Sequence, residues 1–157
     1  MLSQAEVNRL SAELKIDRER ITREFYEILI LNDMSKLSWS QNLIFKGGTA
    51  LRLAYNSPRF SDDLDFSVIQ KISAKEVFKF AVTTSRKYGI KIRDQWEKKE
   101  TIVVEFSITE AIIPQPFGLK IEISKRKAVD INFELKILTS PVSPHEVLFN
   151  VQTLESV

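Results

Sequence analysis

The chain has 157 residues, 43% hydrophobic and 28% charged, with a formal net charge of +2 and no cysteine. That length and composition suit one soluble globular domain with a real core, and the missing cysteines exclude disulfides, a thiolate zinc site and a cysteine nucleophile. No apolar run approaches the length that crosses a bilayer and the first residues, MLSQAEVNRLSAELK, lack a signal-peptide core, so no membrane association is expected and the default location is cytoplasmic.

Ser3 followed by Glu6 has the form of a capping box and predicts a helix to about Lys15. Asp17 caps a second helix in which Ile21, Phe25, Ile28 and Leu29 recur at helical spacing, ending near 34–36. NLIFK, 42–46, is a short buried strand that stops at Gly47 and Gly48. TALRLAYN, 49–56, is a short helix broken by Asn56, Ser57 and Pro58. DLDFSVI, 63–69, opens with clean alternation and reads as a second strand.

A second capping box, Ser73 with Glu76, and a stop at Gly89 predict a helix over 74–88. Strands are expected at about 90–97, 101–108, 118–124 and 129–137, the first two as a hairpin across EKKE. Residues 144–157 read as the start of another helix, with Val147, Val151 and Leu154 on one face, and the chain stops without a cap or breaker, as a truncated helical extension would. The fold class is therefore α/β (α+β), a mixed β-sheet flanked by helices. One domain over 1–157 is expected: N-terminal helices in 1–40, the sheet and its helices in 42–137, and the C-terminal helix from 144.

Charge is distributed unevenly: residues 1–66 carry nine Lys/Arg against ten Asp/Glu, and residues 67–157 fourteen against eleven. The basic surplus of the second part could receive a nucleic-acid backbone, but from charge alone solvated strand ends and helix faces are the favoured account of it.

The chemistry concentrates in FKGGTALRLAYNSPRFSDDLDFS, 45–67. On a strand Asp63 and Asp65 share one face while Leu64 and Phe66 take the other. Two carboxylates so placed offer the hard oxygen donors that Mg2+ or Mn2+ prefers. Gly47 and Gly48 let the backbone turn sharply and approach a ligand. The helix that follows directs free N–H groups at the same place, a site for phosphate. Thr49 adds a hydroxyl, Ser61 lies beside the acidic pair, and Arg52 or Arg59 supplies a planar cation for phosphate. The spacing of a Walker loop is absent.

The order strand, Gly-Gly-Thr, helix, loop and Asp-x-Asp resembles the DNA polymerase β-like nucleotidyltransferase superfamily. More narrowly, Lys46 to Leu51 and Arg59, Ser61, Asp63, Leu64, Asp65 and Phe66 resemble the AbiEii/AbiGii toxin family of nucleotidyltransferases, with its K-G-G-T-x-L and R-x-S-x-D-L-D-F patterns. The resemblance implies Mg2+-dependent transfer of NMP from an NTP to an acceptor hydroxyl. It further implies an RNA or tRNA acceptor, a toxin–antitoxin or phage-defence setting, and a cognate antitoxin. It also implies a third carboxylate on a later strand. In GLKIEIS, Leu119, Ile121 and Ile123 alternate inward and leave Lys120 and Glu122 opposite, which favours Glu122 as the third member; Asp130 is second and Glu105 third. The resembled toxins continue into a helical C-terminal region that completes the site, and this chain ends where that region is expected to begin.

Two readings of other kinds remain open at this point: a non-catalytic nucleotide- or partner-binding module on the same fold, and an aminoglycoside-type transferase acting on a small molecule. His145, the one histidine, reads as a cap or surface residue. Trp39 and Trp96 read as core or rim rather than base-stacking platforms.

Overall fold

The computed structural model describes residues 2–156. Ser3 caps α1 (Gln4–Leu14) as expected: its hydroxyl accepts from Glu6 N–H, and the Glu6 carboxylate accepts from Ser3 N–H. The Asp17 carboxylate accepts from Arg20 N–H at 2.9 Å and starts α2 (Arg18–Ser35). A 3-10 turn at Ser38–Asn42 leads into β1 (Leu43–Lys46), which runs directly into α3 (Gly47–Tyr55). Then come β2 (Asp63–Val68), α4 (Ala74–Tyr88), β3 (Lys91–Lys98), β4 (Thr101–Ile108), β5 (Phe117–Lys127), β6 (Phe133–Ser140) and β7 (Ser143–Gln152).

The strands form one mixed sheet in the order β3-β4-β5-β2-β1-β7-β6. β2 runs parallel to β5 and β1 parallel to β7; the remaining neighbours are antiparallel. Residues opposite one another in such ladders share a face. Phe45, Phe66, Ile121, Val104 and Val151 therefore line one side, and they join one apolar cluster with Val7, Ile28, Leu53 and Val77 from the four helices. Phe45 stacks on Phe66 at 5.1 Å between centroids and Phe149 tilts against Phe66 at 5.6 Å, so three adjacent strands lock at the centre. The helices cover that face. The other face carries Lys46, Asp63, Asp65, Lys120 and Glu122 across three central strands.

Three expectations need correction. Residues 143–152 form β7, not a helix, and the segment 154–156 is a single 3-10 turn. Val147, Phe149 and Val151 are buried on alternate positions with Leu148 exposed between them, a period of two that the pair Val147 and Val151, equally at home on a helix, conceals. The strand expected at 129–137 begins only at Phe133, after β5 has run on to Lys127. Ser73 occupies the N-cap of α4 without a side-chain hydrogen bond; its carbonyl, not its hydroxyl, receives the Glu76 N–H at 3.1 Å.

Candidate active site

Asp65 sits at the meeting point of three strands. Its ladder partners are Lys46 on β1 and Glu122 on β5, while Asp63 lies opposite Lys120. The parallel β2–β5 register thus brings Glu122, the third carboxylate favoured by the resemblance and by alternation along its strand, beside the Asp-x-Asp pair. Asp130 falls in the loop between β5 and β6 and is exposed, outside the sheet altogether. Glu105 stands one strand further out, opposite Lys120, and forms an ion pair with Arg93 at 3.4 Å.

Burial raises the Asp65 carboxyl above its ordinary range, and the like charges of Asp63 and Glu122 push the same way; Lys46 and Lys120 oppose them. The Lys120 ammonium lies 3.7 Å from Asp63 Oδ2 and 3.6 Å from Glu122 Oε2. Asp63 chiefly, with Glu122, raises its pKa against the effect of burial. Among the described residues no three Asp, Glu, His or Cys side chains converge as a ready metal cage. The donor set nonetheless fits a hard cation: oxygen donors only, mutual repulsion that positive charge relieves, and an ammonium already standing between two of the carboxylates.

Beside them, Gly47, the first residue of α3, has a φ of +83°, and Gly48 follows it in the first turn. A Cβ at Gly47 would stand 2.8 Å from Asp65 Oδ2, and one at Gly48 2.7 Å from Ser61 Cβ. The pair is therefore needed first to let Asp65 and Ser61 close over the helix start. Both glycines are exposed, and Lys46, at the N-cap, gives α3 no side-chain cap, leaving its first N–H groups directed outward. A cleft of about 350 Å³ opens here, lined by Lys46, Gly47, Asp65, Phe66, Thr101, Glu122 and Ser124.

The remaining expected ligands divide. Thr49 is buried and its hydroxyl donates to the Asp63 carbonyl at 2.7 Å, fixing the start of β2. Arg52 pairs with buried Glu24, reaches the Ser57 carbonyl at 3.3 Å and covers the Phe60 ring at 3.9 Å. Both are committed within the fold. Arg59 is exposed, with no ion pair among the described residues. Lys46 and Lys120 stand among the carboxylates as well, opposite Asp65 and Asp63; the Lys-x-Glu alternation around Ile121 puts Lys120 on the acidic face.

A family model described as the nucleotidyl transferase AbiEii toxin of type IV toxin–antitoxin systems matches residues 29–157. The chain belongs to the AbiEii family. The motif resemblance at 46–51 and 59–66 lies inside the matched region. Among solved structures, this AbiEii chain is similar to a "putative nucleotidyltransferase from H. pylori", with a TM-score of 0.57, 20% identity, and coverage of 88% of this chain and 56% of that one. It is also similar to JHP933 from Helicobacter pylori, with a TM-score of 0.54, 20% identity, and coverage of 99% and 55%. Those likenesses establish the fold: a mixed sheet flanked by helices, as expected. The chain spans little more than half the length of either structure. No curated protein matches it.

Proposed function

We propose that this AbiEii chain is one nucleotidyltransferase domain that transfers NMP from an NTP to an acceptor hydroxyl with Mg2+ or Mn2+. The observation that carries this reading is the alignment of Asp63, Asp65 and Glu122 on the open sheet face beside the uncapped start of α3. Asp63 and Asp65 would hold the cation, which when bound supplies charge neutralisation at the phosphates. The α3 N–H groups, Lys46 and exposed Arg59 receive the triphosphate oxygens, with Ser61 at the edge. Glu122 takes the proton of the attacking hydroxyl as its oxygen bonds to the α-phosphorus; the bond to the β-phosphate oxygen breaks in line and pyrophosphate leaves. Lys120, whose ammonium lies between Asp63 and Glu122, neutralises part of the acidic cluster and would be a further cation for phosphate oxygens.

Family membership supports toxin action within a toxin–antitoxin system, with a cognate antitoxin as counterpart; the cytoplasm is the proposed location. RNA, with tRNA ends foremost, is the proposed acceptor. A binding module without turnover is the second reading, favoured by one observation: Thr49 and Arg52 are spent on the fold instead of on a ligand.

Incubating the chain with each α-labelled NTP, total RNA and Mg2+ tests the proposal, with Asp65→Asn as control. Label should appear on RNA and fall at least about a hundredfold in the variant, which should stay folded because residue 65 faces the open side of the sheet. Folded wild-type protein that transfers no label to RNA rejects this reading and leaves the binding module or a small-molecule acceptor.

A further inference from the structure

The two edges of the sheet differ in kind. β3 carries Lys91, Arg93, Asp94, Glu97 and Lys98 within eight residues, the charged edge that discourages strand addition. β6, at the other edge, reads FELKILTS without a proline, and Phe133, Leu135 and Ile137 are 42%, 61% and 52% exposed. Its backbone is oriented as well. Thr153 N–H donates to the Asn132 carbonyl at 2.9 Å, so by alternation the even residues of β6 address β7. Phe133, Leu135 and Ile137 turn their N–H and C=O groups outward.

We propose that β6 pairs antiparallel with β6 of a second copy of this chain, about a two-fold axis normal to the sheet and centred on Leu135. Such an axis keeps each face of the sheet continuous, so odd residues oppose odd and even oppose even. Centred on Leu135, Phe133 meets Ile137 of the second copy, Leu135 meets its equivalent, and Glu134 meets Lys136. Moving the centre one residue either way opposes Glu134 to Glu134 or Lys136 to Lys136. The run F-E-L-K-I is thus self-complementary in one register, with apolar side chains matched on the open face and unlike charges on the helix face. The outward backbone groups of residues 133, 135 and 137 become hydrogen-bonded pairs in that same register. Tyr55 prepares the charges: its hydroxyl donates to Glu134 at 3.1 Å, and the Lys136 ammonium lies 4.6 Å from its ring centroid. In the joined sheet the two acidic faces point the same way, seven strand spacings apart, roughly 34 Å.

Sedimentation equilibrium of the 157-residue chain should give twice its 18.1 kDa mass. Lys136→Glu and Glu134→Lys should each raise the dimer dissociation constant roughly tenfold or more, since each opposes like charges at two places. An equimolar mixture of the two variants should restore dimers. The first variant carries two acidic side chains on the helix face of β6 and the second two basic ones, so every pair across the mixed junction unites unlike charges. Circular dichroism checks that each variant folds. If either fails to fold, the doubly reversed variant E134K/K136E, with complementarity retained, should be dimeric. A monomeric wild type overturns the proposal, as does a dimer indifferent to both substitutions or a folded mixture that stays monomeric.

Discussion

A side chain at position 47 meets two obstacles: a backbone φ of +83°, and the Asp65 carboxylate 2.8 Å from where its Cβ would stand. Gly47→Ala is expected to cost about 1–3 kcal/mol through the left-handed conformation and to push Asp65 out of register with Glu122. Urea unfolding should show the loss of stability, and nucleotidyl transfer should fall further than that loss explains. The sequence marks the position, since adjacent glycines before a helix have few other uses. It does not reveal that the nearest neighbour is the chain's own aspartate, on the next strand, because that contact exists only once β1 and β2 pair.

Arg52 and Arg59 look alike on paper, each a cation near a proposed phosphate site, yet the elements around them assign opposite roles. Arg52 on α3 reaches Glu24 on α2, and Glu24 also accepts from the Ser140 hydroxyl of β6 at 2.6 Å. One buried carboxylate therefore joins two helices and an edge strand. Removing its guanidinium partner leaves that charge uncompensated. Arg52→Met should lower unfolding free energy by about 3–5 kcal/mol, read by denaturant titration. Arg59→Met, on an exposed loop, should change stability by no more than about 0.5 kcal/mol while raising the apparent KM for NTP. Equal effects of the two substitutions would contradict this division of labour.

For the molecule as a whole, the dependence of stability on pH collects the buried acids. Glu27 is raised well above its ordinary value of 4.5, by burial first and then by Glu24, with Arg23 and Arg52 opposing. Its Oε2 is buried without a hydrogen-bond partner among the described residues. A carboxyl that is harder to ionise in the folded protein gives full stability below its unfolded pKa and loses it as pH rises through the raised value. Asp65 acts in the same direction from 3.8. Glu27→Gln should therefore gain on the wild type steadily as pH climbs above about 4.5, with the two converging in acid. Urea midpoints of both proteins across that window provide the check, and a variant whose relative stability is flat with pH would mean that Glu27 ionises freely.

What the sequence determined by itself was local: the caps at Ser3 and Asp17, the glycine stop before α3, and the alternation that set Asp63, Asp65 and Glu122 on the polar faces of their strands. Each follows from spacing within a few residues, where backbone geometry alone dictates which side chains share a side. The tertiary structure decided the rest. It made 143–152 a strand, because Phe149 has a place beside Phe45 and Phe66 only in the assembled sheet. It gave the Thr49 hydroxyl the Asp63 carbonyl and Arg52 the Glu24 carboxylate as partners within the fold. It placed Glu122, and not Asp130, beside the Asp-x-Asp pair by running β5 parallel to β2. Register between distant strands and the partners of buried polar groups depend on the packing of residues far apart in the chain, and no local spacing records them.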